Sequence, residues 1–188
     1  MKRHHIIGLF LFLFMFGLSL TSHAQAVPMA TRLGSVQVGA GFSFAIPDYG
    51  GTYIKGYTVY GDADLWRRVG IEADVHQINV LTPTDIGENT YLVGPRFTLL
   101  HRDRVRAYGK VLGGIGRFEY QSGTYPHPHT DTFGVFSVGG GIEYRASQHI
   151  NIRAIDIEAQ KWPGYGTPGF AAHGLTPFVT TFGVAYAF

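Results

Sequence analysis

From Gly34 onward, apolar side chains alternate with polar or very small ones in segments of about ten or more residues, each closed by turn-forming residues. In "GSVQVGAGFSFAI", Val36, Val38, Ala40, Phe42 and Phe44 share one parity, and Gln37, Gly39, Gly41 and Ser43 share the other. "YIKGYTVYGDADLW" sets Tyr57 and Val59 against Tyr60, Asp62 and Asp64. "VGIEADVHQINV" sets Ile71, Ala73 and Val75 against Glu72, Asp74 and His76. In "NTYLVGPRFTLL", Tyr91, Val93, Phe97 and Leu99 oppose Gly94, Arg96 and Thr98. A period of two is that of a strand with two unlike faces.

Four more segments follow. "VRAYGKVLGGIGRFEY" is irregular: the parity of Lys110 does not carry through to Arg117 and Glu119, which predicts either a bulge or a strand tip that stands clear of a membrane. "FGVFSVGGGIEYR" sets Phe136, Val138, Ile142 and Tyr144 against Ser137, Gly139, Gly141, Glu143 and Arg145. "HINIRAIDIEAQKW" holds Asn151 and Arg153 on one parity and Asp156 and Glu158 on the other, so a bulge near Ala154 and Ile155 is needed to bring all four to one face. "LTPFVTTFGVAYAF" ends the chain.

Connections alternate in length. "LWRRVG", "LHRDRV" and "RASQH" are short, whereas "PDYGGT", "LTPTDIGE", "QSGTYPHPHTDT" and "WPGYGTPGFAAHG" are mostly longer and rich in Gly and Pro. An even strand number, up-and-down order, and short turns at one end only predict an all-β, eight-stranded antiparallel transmembrane barrel. The strands share an alternation but no repeated sequence, which argues against a propeller or solenoid.

Faces follow from cost. An outward Arg or Lys at mid-bilayer costs ~2–4 kcal/mol. Asp62, Asp64, Glu72, Asp74, His76, Arg96, Lys110, Glu143, Arg145, Arg153, Asp156 and Glu158 are therefore predicted to face inward. Eight strands leave an interior only wide enough for side chains, so these groups are expected to form a hydrogen-bonded ion-pair plug rather than line a pore. Trp66 at the short-turn end, and Tyr53, Tyr120 and Trp162 toward the other, are expected in the two interfacial girdles.

Composition agrees: 26 Gly, 14 Phe and 11 Tyr in 188 residues favour strands and tight turns. The absence of cysteine excludes a disulfide framework and thiolate metal sites. Lys2, Arg3, His4 and His5, the apolar run over 6–20 and "TSHAQA" make residues 1–26 a secretory signal peptide, with cleavage after Ala26 or Ala24 and the barrel domain over 27–188. Removing the signal takes two of the 15 Lys and Arg and leaves 13 against 13 Asp and Glu. Nothing in that balance points to nucleic acid.

The last segment places Phe182, Val184, Tyr186 and Phe188 on the lipid face, with Gly183, Ala185 and Ala187 inside. This alternating strand with a terminal Phe resembles the C-terminal β-signal of bacterial outer-membrane proteins. With the signal peptide and the strand count, the mature chain resembles the eight-stranded OmpA-like or OmpX-like membrane-domain family. The resemblance implies outer-membrane residence in a diderm host, recognition by the barrel-assembly machinery, and outer-membrane lipids and lipopolysaccharide as surroundings. No peptidoglycan-binding domain follows the last strand, so a wall-tethering role is not carried over.

Lipid A deacylases are barrels of similar size, but their compact His-x-Ser-Asn motif is absent: His173 precedes "GLT", His149 "INI" and His76 "QIN". His76 is read as a structural hydrogen-bonding residue beside Glu72 and Asp74. His127 and His129 have only Asp131 as a nearby further metal ligand, and read as a solvated loop. "GGIG" after Lys110 lacks the helix a phosphate loop requires. Arg67, Arg68, Arg102, Arg104 and Arg106 cluster at the short-turn end, as a solvated rim or a contact for anionic headgroups. No catalytic set, metal or cofactor is assigned. The expected function is non-enzymatic, structural or surface-interacting through a loop ligand of unspecified chemistry; the alternatives are an envelope-lipid-modifying enzyme and a narrow channel.

Overall fold

The computed structural model describes residues 35–47, 53–78, 87–119, 130–164 and 174–188. The candidate signal peptide, Tyr120, His127, His129 and His173 lie outside the described residues. Eight strands run β1 (Val36–Ile46), β2 (Ile54–Asp64), β3 (Val69–Ile78), β4 (Gly87–Arg102), β5 (Val105–Glu119), β6 (Thr130–Arg145), β7 (Ile150–Lys161) and β8 (Phe178–Ala187). Each pairs antiparallel with its sequence neighbours, and β8 pairs with β1 to close the barrel. Closure matters because hydrocarbon offers no partner to a free backbone amide, so only a sheet without edges can reside in it.

Every strand presents apolar side chains on its outward face. Phe42, Val59, Ile71, Val93, Val111, Val138, Ile157 and Val184 are all exposed on the outer wall. In a water-soluble barrel such residues would fill the centre. Here the alternation is reversed, giving the wall of a transmembrane barrel.

The turns at one end are tight. Asp103 adopts a left-handed φ of 52° in the turn between β4 and β5, a conformation that Asp tolerates better than most residues. Register shifts at two places adjust the strands, the second showing in the ladders of β7 with both β6 and β8. One lies between Thr98 and Leu100 in β4. The other lies between Arg153 and Asp156 in β7, and it brings Asn151, Arg153, Asp156 and Glu158 to the inward face.

β5 departs from one of the two sequence expectations. Its ladder with β6 runs without a shift from Val105↔Tyr144 to Glu119↔Thr130. Tyr108, Lys110, Leu112, Gly116 and Phe118 point inward throughout, and Arg117 is exposed on the outer face of the strand tip. The inward place at that height is taken by Phe118, which packs in an apolar cluster with Leu92, Leu112, Val135, Trp162 and Leu175. A smaller cluster of Ala45, Ile54, Ile78 and Val179 fills the opposite side of the same end.

Trp162 thus lies inside the barrel at 0% exposure, not in an outer girdle. Gly116 makes room for it: a Cβ at Gly116 would stand 2.3 Å from the indole Cη2. Gly116→Val is therefore expected to lower unfolding stability in detergent by about 1–3 kcal/mol through overpacking. Gly113→Ala is the control, since a Cβ there meets only the Phe136 ring at 3.8 Å. Equal denaturation midpoints for the two variants would contradict this packing.

Candidate functional site

The charged layer lies below the apolar clusters, toward the short-turn end. Residues from all eight strands bond within the lumen. Arg96 on β4 reaches Asp62 at 2.5 Å, Glu143 at 2.8 Å and Glu72 at 3.2 Å. Arg153 on β7 reaches Glu72 and Asp156 at 2.9 Å and Glu143 at 3.3 Å. The Lys110 ammonium on β5 is surrounded by Asp74 at 2.7 Å, Asp156 and Glu158 at 2.8 Å and Glu72 at 3.0 Å. Glu72, at 0% exposure, thereby touches all three cations.

Six carboxylates in this layer, those of Asp62, Glu72, Asp74, Glu143, Asp156 and Glu158, outnumber the three fully buried cations. Neutral donors and one further arginine supply the difference. Gln37 donates to Asp62 at 2.7 Å, Tyr108 to Asp156 at 2.5 Å and Ser137 to Glu158 at 2.8 Å. Arg106, half-buried at the lower edge, holds Glu143 at 2.6 Å and Asp64 at 2.9 Å. Asn151 donates from Nδ2 to the Gln37 side-chain Oε1 at 2.6 Å, and Ser43 bonds Thr181 at 2.8 Å, so β1 and β8 are tied in as well.

Two tyrosines complete the packing. The Arg153 guanidinium lies 3.5 Å from the Tyr60 ring centroid, and that of Arg96 lies 3.8 Å from the Tyr108 centroid. Each contact is a desolvated cation–π pair. Each ring stands beside a glycine on the neighbouring strand, in the pairs Gly39↔Tyr60 and Tyr108↔Gly141. A Cβ at Gly39 would fall 2.4 Å from the Tyr60 ring, so the ring fits only because that side chain is missing.

Of the residues read as inward from sequence, Asp62, Glu72, Asp74, His76, Arg96, Lys110, Glu143, Arg153, Asp156 and Glu158 lie buried in this one layer. Asp64 lies at its lower rim, partly exposed, bonded to Arg106 and to Ser35 at 2.6 Å. Arg145 does not join: it shares the parity of Glu143 but stands one step beyond the lumen, exposed, with a long bond of 3.5 Å to the Gln148 carbonyl. Arg106 moves the opposite way, from expected turn residue to network member. Gln37, Tyr60 and Asn151 were placed on the inward parity from sequence but not named as network members, and Tyr108 was missed although it shares the parity of Lys110.

His76 does not bond Glu72 or Asp74. Its Nδ1 lies 2.7 Å from the Thr58 hydroxyl and its Nε2 lies 3.3 Å from Glu158 across the lumen. Ser43 bonds Thr58 in turn. This Ser-Thr-His-Glu chain has the composition of a proton relay, but all four members are buried, and Ser43 is engaged by Thr181. Asp74, His76 and Glu158 also have metal-like spacing, within 4.8 Å. The Lys110 ammonium already sits against both carboxylates and acts as the cation there.

On the outside, Phe182, Val184, Tyr186 and Phe188 are exposed along β8 and its end. Tyr186 stacks on His149 at 5.5 Å between centroids, and Phe188 meets Tyr186 edge-on at 5.1 Å.

No protein-family model matches the chain, and no curated protein matches it. Solved structures do. Neisserial surface protein A is similar with a TM-score of 0.61 at 16% identity, over 82% of this chain and 97% of that one. The outer membrane protein OprG from Pseudomonas aeruginosa gives 0.60 at 13%, over 82% and 96%. The N-terminal β-barrel domain of Pseudomonas aeruginosa OprF gives 0.56 at 13%, over 82% and 97%. At such identities the likeness is one of fold. With the apolar outer wall and closed sheet, it defines the chain as an eight-stranded transmembrane β-barrel of the type found in outer-membrane proteins.

The network and the rim should respond differently to truncation. Arg96→Ala leaves Asp62 and Glu143 short of a buried partner, and is expected to cost roughly 3–5 kcal/mol of stability in detergent, less if water enters. Arg145→Ala is expected to stay within about 0.5 kcal/mol. Urea titration of the refolded variants checks both; similar losses would contradict the placement of Arg145 outside the network.

Proposed function

We propose that the chain is exported to the outer membrane and serves there as a non-enzymatic barrel with a structural or surface-interaction role. The longer connections at the end opposite the tight turns present the interaction surface, to a ligand of unassigned chemistry. Outer-membrane lipids and lipopolysaccharide surround the wall, and the barrel-assembly machinery acts on the β8 alternation during biogenesis. The observation that carries this reading is the self-contained bonding of the lumen: Arg96, Lys110 and Arg153 are spent on lumen carboxylates, beneath an apolar end lined by Trp162 and Leu112. Side chains engaged in this way stabilise a barrel and are withheld from substrate or permeating ions.

Reconstituted protein is expected to show negligible conductance in planar bilayers, and lipid A mass to be the same with and without the chain. A chain-dependent change in lipid A mass would replace this reading with a lipid-modifying enzyme, and a steady conductance would replace it with a channel. Protease added to intact cells is expected to cut within 121–131 or 162–174. Cleavage confined to the turn at 103–104 would reverse the orientation.

A further inference from the structure

The short-turn end of the barrel is strongly cationic. Arg67 and Arg68 lie on the turn between β2 and β3, Arg102 and Arg104 at the turn between β4 and β5, and Arg145 at the end of β6; all five are exposed. The acidic side chains at this rim are Asp64 and Asp103, and Asp64 is already held by Arg106 at 2.9 Å. Glu143, just inside, is bound by the same arginine at 2.6 Å. Arg106 therefore answers the lumen carboxylates, and the five outer guanidiniums face one outer carboxylate side chain, that of Asp103.

Three of them, Arg67, Arg104 and Arg145, line two adjoining clefts. One, of about 170 Å³, is bordered by Arg67, His101, Arg104 and Arg145, and also by Asp64 and Glu143, both of which Arg106 holds. The other, of about 460 Å³, lies between the two neighbouring turns and is bordered by Asp103, Arg104, Arg145, Ser147 and Gln148, two guanidiniums against one carboxylate. Arg104 and Arg145 belong to both. Their backbones are locked together, the Arg145 N–H donating to the Arg104 carbonyl at 2.7 Å. The Arg145 guanidinium spends one long bond on Gln148 and keeps donors for a guest. Planar guanidiniums at such a cleft suit a tetrahedral oxyanion, which they bind through paired, charge-assisted hydrogen bonds.

The same rim carries apolar and aromatic groups that fix its depth. Trp66 is 72% exposed and Phe188 68% exposed, and Leu65 is exposed beside Trp66. An exposed indole at a barrel end belongs at the membrane–water interface. Arg67 and Arg68 follow it directly in sequence, which sets them at the level of lipid phosphates.

We propose that the short-turn rim is a headgroup seat in which Arg104 and Arg145, flanked by Arg67, bind the phosphate of an anionic phospholipid in the leaflet this end faces. The proposal rests on the membrane-barrel reading and is independent of any ligand for the longer connections. Leu65 and Trp66, which precede the cleft-lining Arg67, and Phe188, which follows the cleft-lining Ala187, favour a lipid over a free phosphate because they give the same rim exposed apolar surface.

The test is native mass spectrometry of the mature, refolded barrel, released from detergent doped with equal phosphatidylglycerol and phosphatidylcholine. Wild type is expected to retain phosphatidylglycerol preferentially. The double variant R104Q/R145Q is expected to lower that retention about twenty-five-fold, a factor of about five for each arginine near a lipid surface. R117Q, at the opposite strand tip, is expected to leave it unchanged. Heat-modifiability of each variant shows that the barrel itself is intact; R145Q alone serves if the double variant does not fold. Equal retention of the two lipids by wild type, or undiminished phosphatidylglycerol retention by R104Q/R145Q, would overturn the seat. Loss of the lipid preference in low-millimolar inorganic phosphate would assign the site to a soluble oxyanion and overturn the lipid source.

Discussion

Glu72 is fully buried among Lys110, Arg153 and Arg96, and that arrangement is imposed by the width of the barrel. Eight strands enclose a lumen that side chains fill, so an inward charge has nowhere to find bulk water. Its solvation has to come from other inward charges and from hydroxyl and amide donors. A lumen of this kind is stable only if its members are supplied together, because removing one leaves its partners buried and unpaired. The outer wall imposes the complementary condition. Since lipid rejects charge, each strand needs its polar groups on a single parity, and the irregularity between Arg153 and Asp156 allows β7 to meet that demand despite a sequence that switches parity midway.

The two ends of the lumen solve the problem differently. Toward the longer connections, Trp162, Phe118, Leu112 and Leu92 fill the interior with apolar volume, and Gly116 yields the space the indole occupies. Toward the tight turns, Arg106 and Asp64 close the network at the edge of water. Beyond them the rim arginines Arg67, Arg68, Arg102, Arg104 and Arg145 are exposed, and their charge is open to the surroundings. The barrel thus treats charge in three ways: internal solvation in the middle, a mostly apolar filling that still admits the buried Glu88 at one end, and display at the other.

Alternation in the sequence reveals which face a side chain occupies, and on that basis strand number, wall and lumen were legible. It does not reveal height along the barrel axis, which depends on register between strands distant in sequence. Arg145 and Trp162 show the difference. Arg145 has the parity of Glu143 but lies past the last ring of inward side chains, so it meets solvent. Trp162 was read as a girdle residue from its place at a strand end, yet the bridge Trp162↔Leu175 carries the chain onward and turns the indole into the lumen. Arg106 was hidden for the same reason: it is next to a turn in sequence, but pairs with Glu143 across the ladder of β5 and β6. The tyrosine–glycine pairs likewise become visible only when the register sets Gly39 against Tyr60 and Gly141 against Tyr108.

The central claim is that the lumen charges act as one bonded unit. A double-mutant cycle on Arg96 and Glu143, 2.8 Å apart, measures it most directly through the unfolding free energies of R96M, E143Q and the double variant in detergent. The expected result is a coupling energy above about 1 kcal/mol, with the double variant less destabilised than the sum of the single ones. Additivity within about 0.3–0.5 kcal/mol would contradict the account. It would mean that each side chain is solvated independently, in a lumen open to water.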